Sequence, residues 1–222
     1  MSHGTRQPAS PHGLSDLRSS GPGSPPPEAF DPSAGRGVPI WLAATLNYCS
    51  RCGGALKLGS LEGEDRERLA CAACGFIAYV NPRLVVTCLP ITESGEVLLL
   101  RRGIEPGRGL WAQPGGFMEV DETVEAGAAR ECLEETGLVV EPGEIVGLYT
   151  RPEAAIVVIA FTARVVGGEA AVTPEALEVR PFRPEAIPWP ELAFRTTEWA
   201  LRDWVRRVRP DLEPPGRRAA GR

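Results

Sequence analysis

GFMEVDETVEAGAARECLEETGL, residues 116–138, decides how the rest of the chain is read. On a helix, Glu131, Glu134 and Glu135 stand at i, i+3 and i+4 and crowd one side, where like charges repel by roughly a few tenths of a kcal/mol per pair. Charge runs are usually solvated faces. A solvated face has no reason to exclude lysine, however, and residues 119–135 hold seven carboxylates against Arg130 alone. A hard divalent cation resolves the crowding, because Mg²⁺ prefers carboxylate oxygen and bridges it to substrate phosphate. The stretch is therefore expected to hold a divalent cation, Mg²⁺ or Mn²⁺. On the other face Ala126, Ala129, Cys132 and Leu133 are small and apolar, as packing on a sheet requires. Thr123 is placed to cap the N-terminus, with Glu125 in the first turn, and Gly137 to close the C-terminus in the left-handed conformation. The spacing predicts a helix from about 122 to 136.

Gly116, Glu122, Arg130, Glu131, Glu134, Glu135 and Gly137 match every fixed position of G-x5-E-x7-R-E-U-x-E-E-x-G-U, where U is aliphatic, and the chain here resembles the Nudix hydrolases. Cys132 takes the first U position and is expected to pack as a small hydrophobe. Gln113-Pro114-Gly115-Gly116 is similar to the loop that leads into the family's box. The resemblance implies an α/β fold, an α/β/α sandwich with a mixed sheet, over residues 83–208. It also implies metal-dependent hydrolysis, with the cation held by Glu131, Glu134, Glu135 and the carbonyl of Gly115. Arg130, able to reach Glu134 at i+4, is implied as an orienting partner, and Glu122 as a supporting or ligating residue. The general base stays open among Glu131, Glu175 and Glu178, the last two being equally well explained as a solvated loop. Arg101 and Arg102 end a strand where phosphate could meet them. Trp111, Phe117, Trp189 and Phe194 are candidates to stack on a nucleobase, although core packing is the commoner fate of such side chains.

Ahead of this region, Cys49-x2-Cys52 and Cys71-x2-Cys74 are separated by eighteen residues, the spacing of a four-cysteine zinc site. Gly53 and Gly75 follow the pairs and permit tight knuckles. Two disulfides are the alternative, disfavoured in a reducing compartment. A zinc ribbon over 46–80 is expected, with structural Zn²⁺ standing in for a core too small to form alone. Its basic Arg51, Lys57, Arg66 and Arg68 are balanced by Glu62, Glu64, Asp65 and Glu67, which gives no footprint for nucleic acid and favours an architectural role. Cys88 and Cys132 read as core residues.

A ribbon directly before a Nudix domain is similar to two groups, NADH diphosphatases and ribbon-bearing enzymes that cleave FAD or ADP-ribose. Residues 148–154, LYTRPEA, lack the Ser-Gln-Pro-Trp-Pro-Phe-Pro-like segment of the first group. Ile77-Ala78-Tyr79-Val80-Asn81-Pro82, Gly109-Leu110-Trp111 and Glu175-Ala176-Leu177-Glu178, with Phe182 and Ile187-Pro188 after it, resemble the second. The expected activity is hydrolysis of FAD or ADP-ribose to AMP plus FMN or ribose 5-phosphate. An NADH diphosphatase is the first alternative. A Nudix-fold sensor that binds without cleaving is the second, against which the intact box argues.

The 222 residues carry a net charge of -5 and 43% hydrophobic residues, enough for one ordinary domain plus a small module. That charge excludes broad attraction to nucleic acid or anionic membrane. No apolar run approaches the roughly 20 residues of a spanning helix, and no basic segment precedes an apolar one at the N-terminus. A cytoplasmic protein with a small-molecule nucleotide substrate is expected, with no nucleic-acid or membrane partner and a homodimer left open. Residues 1–38, dense in Gly, Pro and Ser, and 209–222 read as disordered tails. Between them, a division near Asn81-Pro82 is followed by predicted strands at 84–89, 97–100, 139–148, 155–163 and 176–182 and a closing helix at 196–208.

Overall fold

The computed structural model describes residues 40–214. A short helix, α1 (Ile40–Ala43), precedes an antiparallel sheet of β1 (Leu56–Gly59), β2 (Arg68–Cys71) and β3 (Ile77–Ala78), in that spatial order. The β-branched and aliphatic runs beyond Asn81 form β4 (Arg83–Ile91) and β5 (Val97–Arg102), as such residues favour. Then follow β6 (Trp111–Ala112), β7 (Gly115–Phe117), α2 (Val124–Thr136), β8 (Leu138–Arg151), β9 (Ile156–Gly168), β10 (Ala176–Phe182) and α3 (Arg195–Val208).

These strands make one sheet in the order β10-β5-β4-β9-β8. β4 and β9 run parallel from the Arg83–Ile156 pair to the Ile91–Arg164 pair, while the other pairings are antiparallel. The sheet is therefore mixed, as expected. β4 and β5 are joined at Ile91 and Val97 and part from there. Residues 111–117 fill the opening: Trp111–Ala112 pairs with β5, and Gly115–Phe117 pairs with β4. This wedge brings Gly115 and Gly116 to α2, whereas the chain there was expected to be loop.

One face of the sheet places Val86, Cys88, Phe161 and Ala163 against Ala128 and Cys132 of α2. The other places Leu89, Leu99, Val158 and Ala160 against Ala200, Leu201, Trp204 and Val205 of α3. An α/β/α sandwich results, each fully buried Leu, Val or Phe contributing about 1.5–3 kcal/mol. The buried side of α2 differs from expectation. Gly127, Ala128, Cys132, Glu135 and Thr136 are covered, whereas Ala126 and Leu133 are exposed. The helix is rotated so that two of its glutamates border the sheet instead of facing away from it.

Leu212 packs against the α3-side core, and Arg209 is paired with Asp211 and Glu185, so the first residues of the segment expected as a C-terminal tail are tied to the fold. Residues 1–38 and 215–222, the rest of the expected tails, lie outside the described residues. Among the described residues no helix is long and apolar enough to cross a membrane.

Candidate active site

α2 is set at both ends by its own sequence. Thr123 accepts the Ala126 N–H at 3.2 Å, and Gly137, at φ 75°, donates its N–H to the Leu133 carbonyl. Between these caps the three glutamates are graded in exposure. Glu135 is 6% exposed, Glu131 is half-buried and Glu134 is open to solvent. The wedge meets them from the sheet. Gly115 donates its N–H to Glu135 Oε2 at 2.8 Å. Its φ of 153° and the Val86 carbonyl beneath it leave no room for a side chain. A Cβ on Gly116 would lie 2.5 Å from the Glu131 carboxylate carbon, so glycine is what lets that carboxylate rest on the backbone.

Arg130 organises the acidic groups. Its Nε and Nη2 donate to Glu122 at 2.9 and 2.8 Å, a bidentate pair of the strong kind. Nη1 donates to Glu131 at 2.8 Å and to Glu134 at 3.0 Å, and Nη2 also reaches the Phe117 carbonyl at 3.3 Å. Glu122 Oε1 accepts the Glu119 N–H as well. With Arg130 as the chief cause, the Glu122 carboxyl is held down to about 2.

Glu135 behaves oppositely. Burial, aided by the nearby charges of Glu131 and Glu175, pushes its carboxyl up to about 7 despite the Gly115 amide. Burial also raises Glu131, against the pull of Arg130. Two covered carboxylates are donors suited to a hard cation, and Glu134 is joined to Glu131 through the shared Arg130 Nη1.

The sign of a pH effect follows. A carboxyl raised in the folded state stabilises the fold below its ordinary value near 4.5 and loses that contribution as pH rises through about 7. Metal-free protein is expected to lose up to about 2–3 kcal/mol from Glu135 across this window. Thermal melts in EDTA from pH 5 to 8.5 should show a steeper fall for the wild type than for Glu135→Gln. Equal slopes would rule the contribution out.

The loop after β9 closes over the C-terminal end of α2. Thr173 Oγ1 donates to the Glu135 carbonyl at 3.1 Å, and Ala171 N–H donates to the Thr136 carbonyl at 2.9 Å. The Glu175 carbonyl accepts from Gly103 N–H at 2.7 Å, which brings Glu175 within electrostatic reach of both Glu131 and Glu135. Arg102, stacked over Phe194 at 4.8 Å, contributes positive charge to Glu135. These two expected residues thus gather with the box.

Two others do not. Trp111 is 2% exposed and meets Phe182 edge-on at 5.0 Å, so it is core and offers no face to a base. Glu178 lies 3.8 Å from Arg180, which covers Trp111, while Val179 between them packs on the α2 side. Strand alternation therefore turns Glu178 to the face away from the box. Trp189, under Arg202, likewise packs against the α3-side core.

Phe117 is exposed beneath Arg83 at 4.2 Å and lines a groove of about 400 Å³ with Leu84, Met118, Glu119 and Val120. Sequence reading missed a buried contact beside it in the wedge: Gln113 Nε2 donates to Thr87 Oγ1 at 2.6 Å. Gln113 Oε1 has no donor among the described residues; a buried carbonyl left without one costs about 1–3 kcal/mol. Glutamine between alanine and proline carried no periodic signal.

In the N-terminal sheet, Cys49 Sγ is 3.7 Å from Cys74 Sγ, Cys52 Sγ is 3.6 Å from Cys71 Sγ, and all four sulfurs lie within 4.8 Å of one another. A tetrahedron with metal–sulfur bonds of about 2.3 Å has edges of ~3.8 Å, whereas a disulfide would need about 2.05 Å. All four are free thiols. Gly53 and Gly75 N–H groups close knuckles onto the Cys49 and Cys71 carbonyls. The backbone amide of Cys74, foremost, lowers the Cys71 thiol pKa, while against the Gly54 amide the neighbouring sulfurs of Cys74 and Cys71 raise that of Cys52, as sulfurs packed this closely share their protons.

The sandwich, the wedge and the carboxylate-bearing α2 define a Nudix protein, and the Nudix domain family matches residues 81–207. The chain belongs to that family. The Nudix N-terminal zinc-ribbon family matches residues 47–80. It is 34% identical over 132 residues to the ADP-ribose pyrophosphatase of Methanocaldococcus jannaschii, covering 58% of this chain and 76% of that protein. Identity to the NAD-capped RNA hydrolase NudC of Pseudomonas aeruginosa is 30% over 155 residues, covering 68% of this chain but 52% of the relative. Among solved structures, a NUDIX hydrolase from Nitrosomonas europaea aligns with a TM-score of 0.69 and 39% identity, covering 76% of this chain and 94% of that one.

Proposed function

We propose that the protein hydrolyses the diphosphate bond of a nucleoside diphosphate joined to a second moiety, with FAD or ADP-ribose as substrate, giving AMP plus FMN or ribose 5-phosphate. The observation that carries this reading is the buried Glu135, held by the Gly115 N–H, beside Glu131 resting on the Gly116 backbone. Glu131, Glu134, Glu135 and the Gly115 carbonyl would hold Mg²⁺ or Mn²⁺, which neutralises phosphate oxygens and lowers the pKa of water. Arg130 and Glu122 keep the carboxylates in place. Arg102, whose charge reaches Glu135, would meet phosphate charge. Glu175, in no ion pair among the described residues and within electrostatic reach of Glu131 and Glu135, is the candidate to take the proton from attacking water. The Phe117 groove suits a flat ring of the substrate. In the ribbon, Zn²⁺ on Cys49, Cys52, Cys71 and Cys74 has no open position and serves structure.

ADP-ribose is supported by the archaeal relative. NADH or a related dinucleotide is the second reading, supported by the NudC relative. Against it stands the 148–154 stretch, LYTRPEA, which lacks the Ser-Gln-Pro-Trp-Pro-Phe-Pro-like segment of the NADH diphosphatases.

A panel of FAD, ADP-ribose, NADH, nucleoside triphosphates and dinucleoside polyphosphates, each with Mg²⁺ or Mn²⁺, tests the assignment. AMP is expected from FAD or ADP-ribose at the highest kcat/KM. If NADH leads, the second reading replaces the first.

A further inference from the structure

Gln113 sits in the wedge two residues before Gly115, 6% exposed, with its amide nitrogen on Thr87 and its carbonyl oxygen without a donor among the described residues. Thr87 is the residue opposite Gly115 in the β4–β7 pairing. Its Cγ2 and Cα come within 2.5 and 2.7 Å of where a Gly115 side chain would begin. The Gln113–Thr87 bond therefore ties the two strands at the register that aims the Gly115 N–H at Glu135. A leucine would fill similar space without burying an unpaired carbonyl. What the amide adds over leucine is its bond to Thr87.

We propose that Gln113 is a positioning residue for the divalent cation: through Thr87 it fixes the backbone plane of Gly115, and with it the relation between the Gly115 carbonyl and the Glu135 carboxylate. It touches neither cation nor substrate. The inference rests on the reading that Gly115 and Glu135 hold the cation. Residues that orient ligands typically alter metal affinity by about 10–100-fold when lost.

The test is equilibrium Mn²⁺ binding to the full chain, followed by electron paramagnetic resonance, for wild type, Gln113→Leu, Thr87→Val, Thr87→Ser and Glu135→Gln. Gln113→Leu and Thr87→Val should weaken Mn²⁺ binding about 10-fold. They should raise half-saturating Mg²⁺ for hydrolysis by the same factor, while kcat at saturating metal stays within about twofold. Thr87→Ser, which keeps the hydroxyl, should bind as wild type does. A role in packing alone would lower the melting temperature and leave Mn²⁺ affinity unmoved. Should Gln113→Leu fail to fold, Thr87→Val decides. If Glu135→Gln loses Mn²⁺ while folded Thr87→Val keeps wild-type affinity, the Gln113 proposal is overturned and the metal reading stands. If Glu135→Gln binds as the wild type does, the metal reading fails and takes this proposal with it.

Discussion

Glu135→Gln is expected to lower turnover by about 10²–10³-fold at saturating Mg²⁺, the scale on which loss of a preorganised charge at a reacting phosphate is felt. The side chain keeps its shape and can still accept the Gly115 N–H, so folding should survive. What disappears is a negative charge held among Glu131 and Glu175 in a covered site. The metal-free variant should therefore melt no lower than the wild type at pH 8, and Mg²⁺ should raise its melting temperature less. Glu134→Gln should lose turnover too but leave the metal-free melt almost unchanged, because Glu134 is exposed and its partner Arg130 keeps Glu122 and Glu131. Near-normal turnover of both variants would refute the metal assignment.

The second large effect is expected in the ribbon. Its three strands contain only four, four and two residues, and Leu69 with Cys49 and Cys71 supplies most of its buried apolar surface. Zinc–thiolate binding contributes roughly 10–16 kcal/mol in small fingers, far beyond what such a core can provide. Cys71→Ser should abolish stoichiometric zinc and unfold the ribbon locally, while box carboxylates stay in place and residual hydrolysis persists at reduced stability. Elemental analysis of dialysed wild type should return one zinc per chain. Zinc near zero together with four non-titrating cysteines would instead establish disulfides.

Much of this architecture is legible in the residues themselves. Thr123 and Gly137 mark the ends of α2 to within two residues because capping is a local interaction, and the aliphatic runs of β4, β5, β8, β9 and β10 announce strands. The side of α2 that is buried is not local information. Ala126 and Leu133 look like packing residues, but the wedge claims the space beside Glu131 and Glu135, and the helix turns accordingly. β6 and β7, two and three residues long around a proline and two glycines, have no periodicity to detect. Glu178 and Glu175 are near neighbours in sequence, yet the pleat sends Glu178 to the far face. Only the partner strand, aligned with an irregularity between Ala176 and Glu178, determines that outcome.

The parallel pairing of β4 with β9 has a consequence for how the chain is made. Thr87 and Ile159 are joined across 72 positions, whereas the ribbon closes between near neighbours such as Leu56 and Cys71. Contacts so far apart carry a loop-closure cost that must be met before they stabilise anything, and sheets built on them form slowly. During synthesis the ribbon and α2 emerge before Ile156, so β4 waits with one edge bare and Leu89, which packs on the α3 side, uncovered. Such an edge is an invitation to pair with other nascent chains. The pace of translation between β4 and β9 thus sets how long the unfinished sheet is exposed to misassembly.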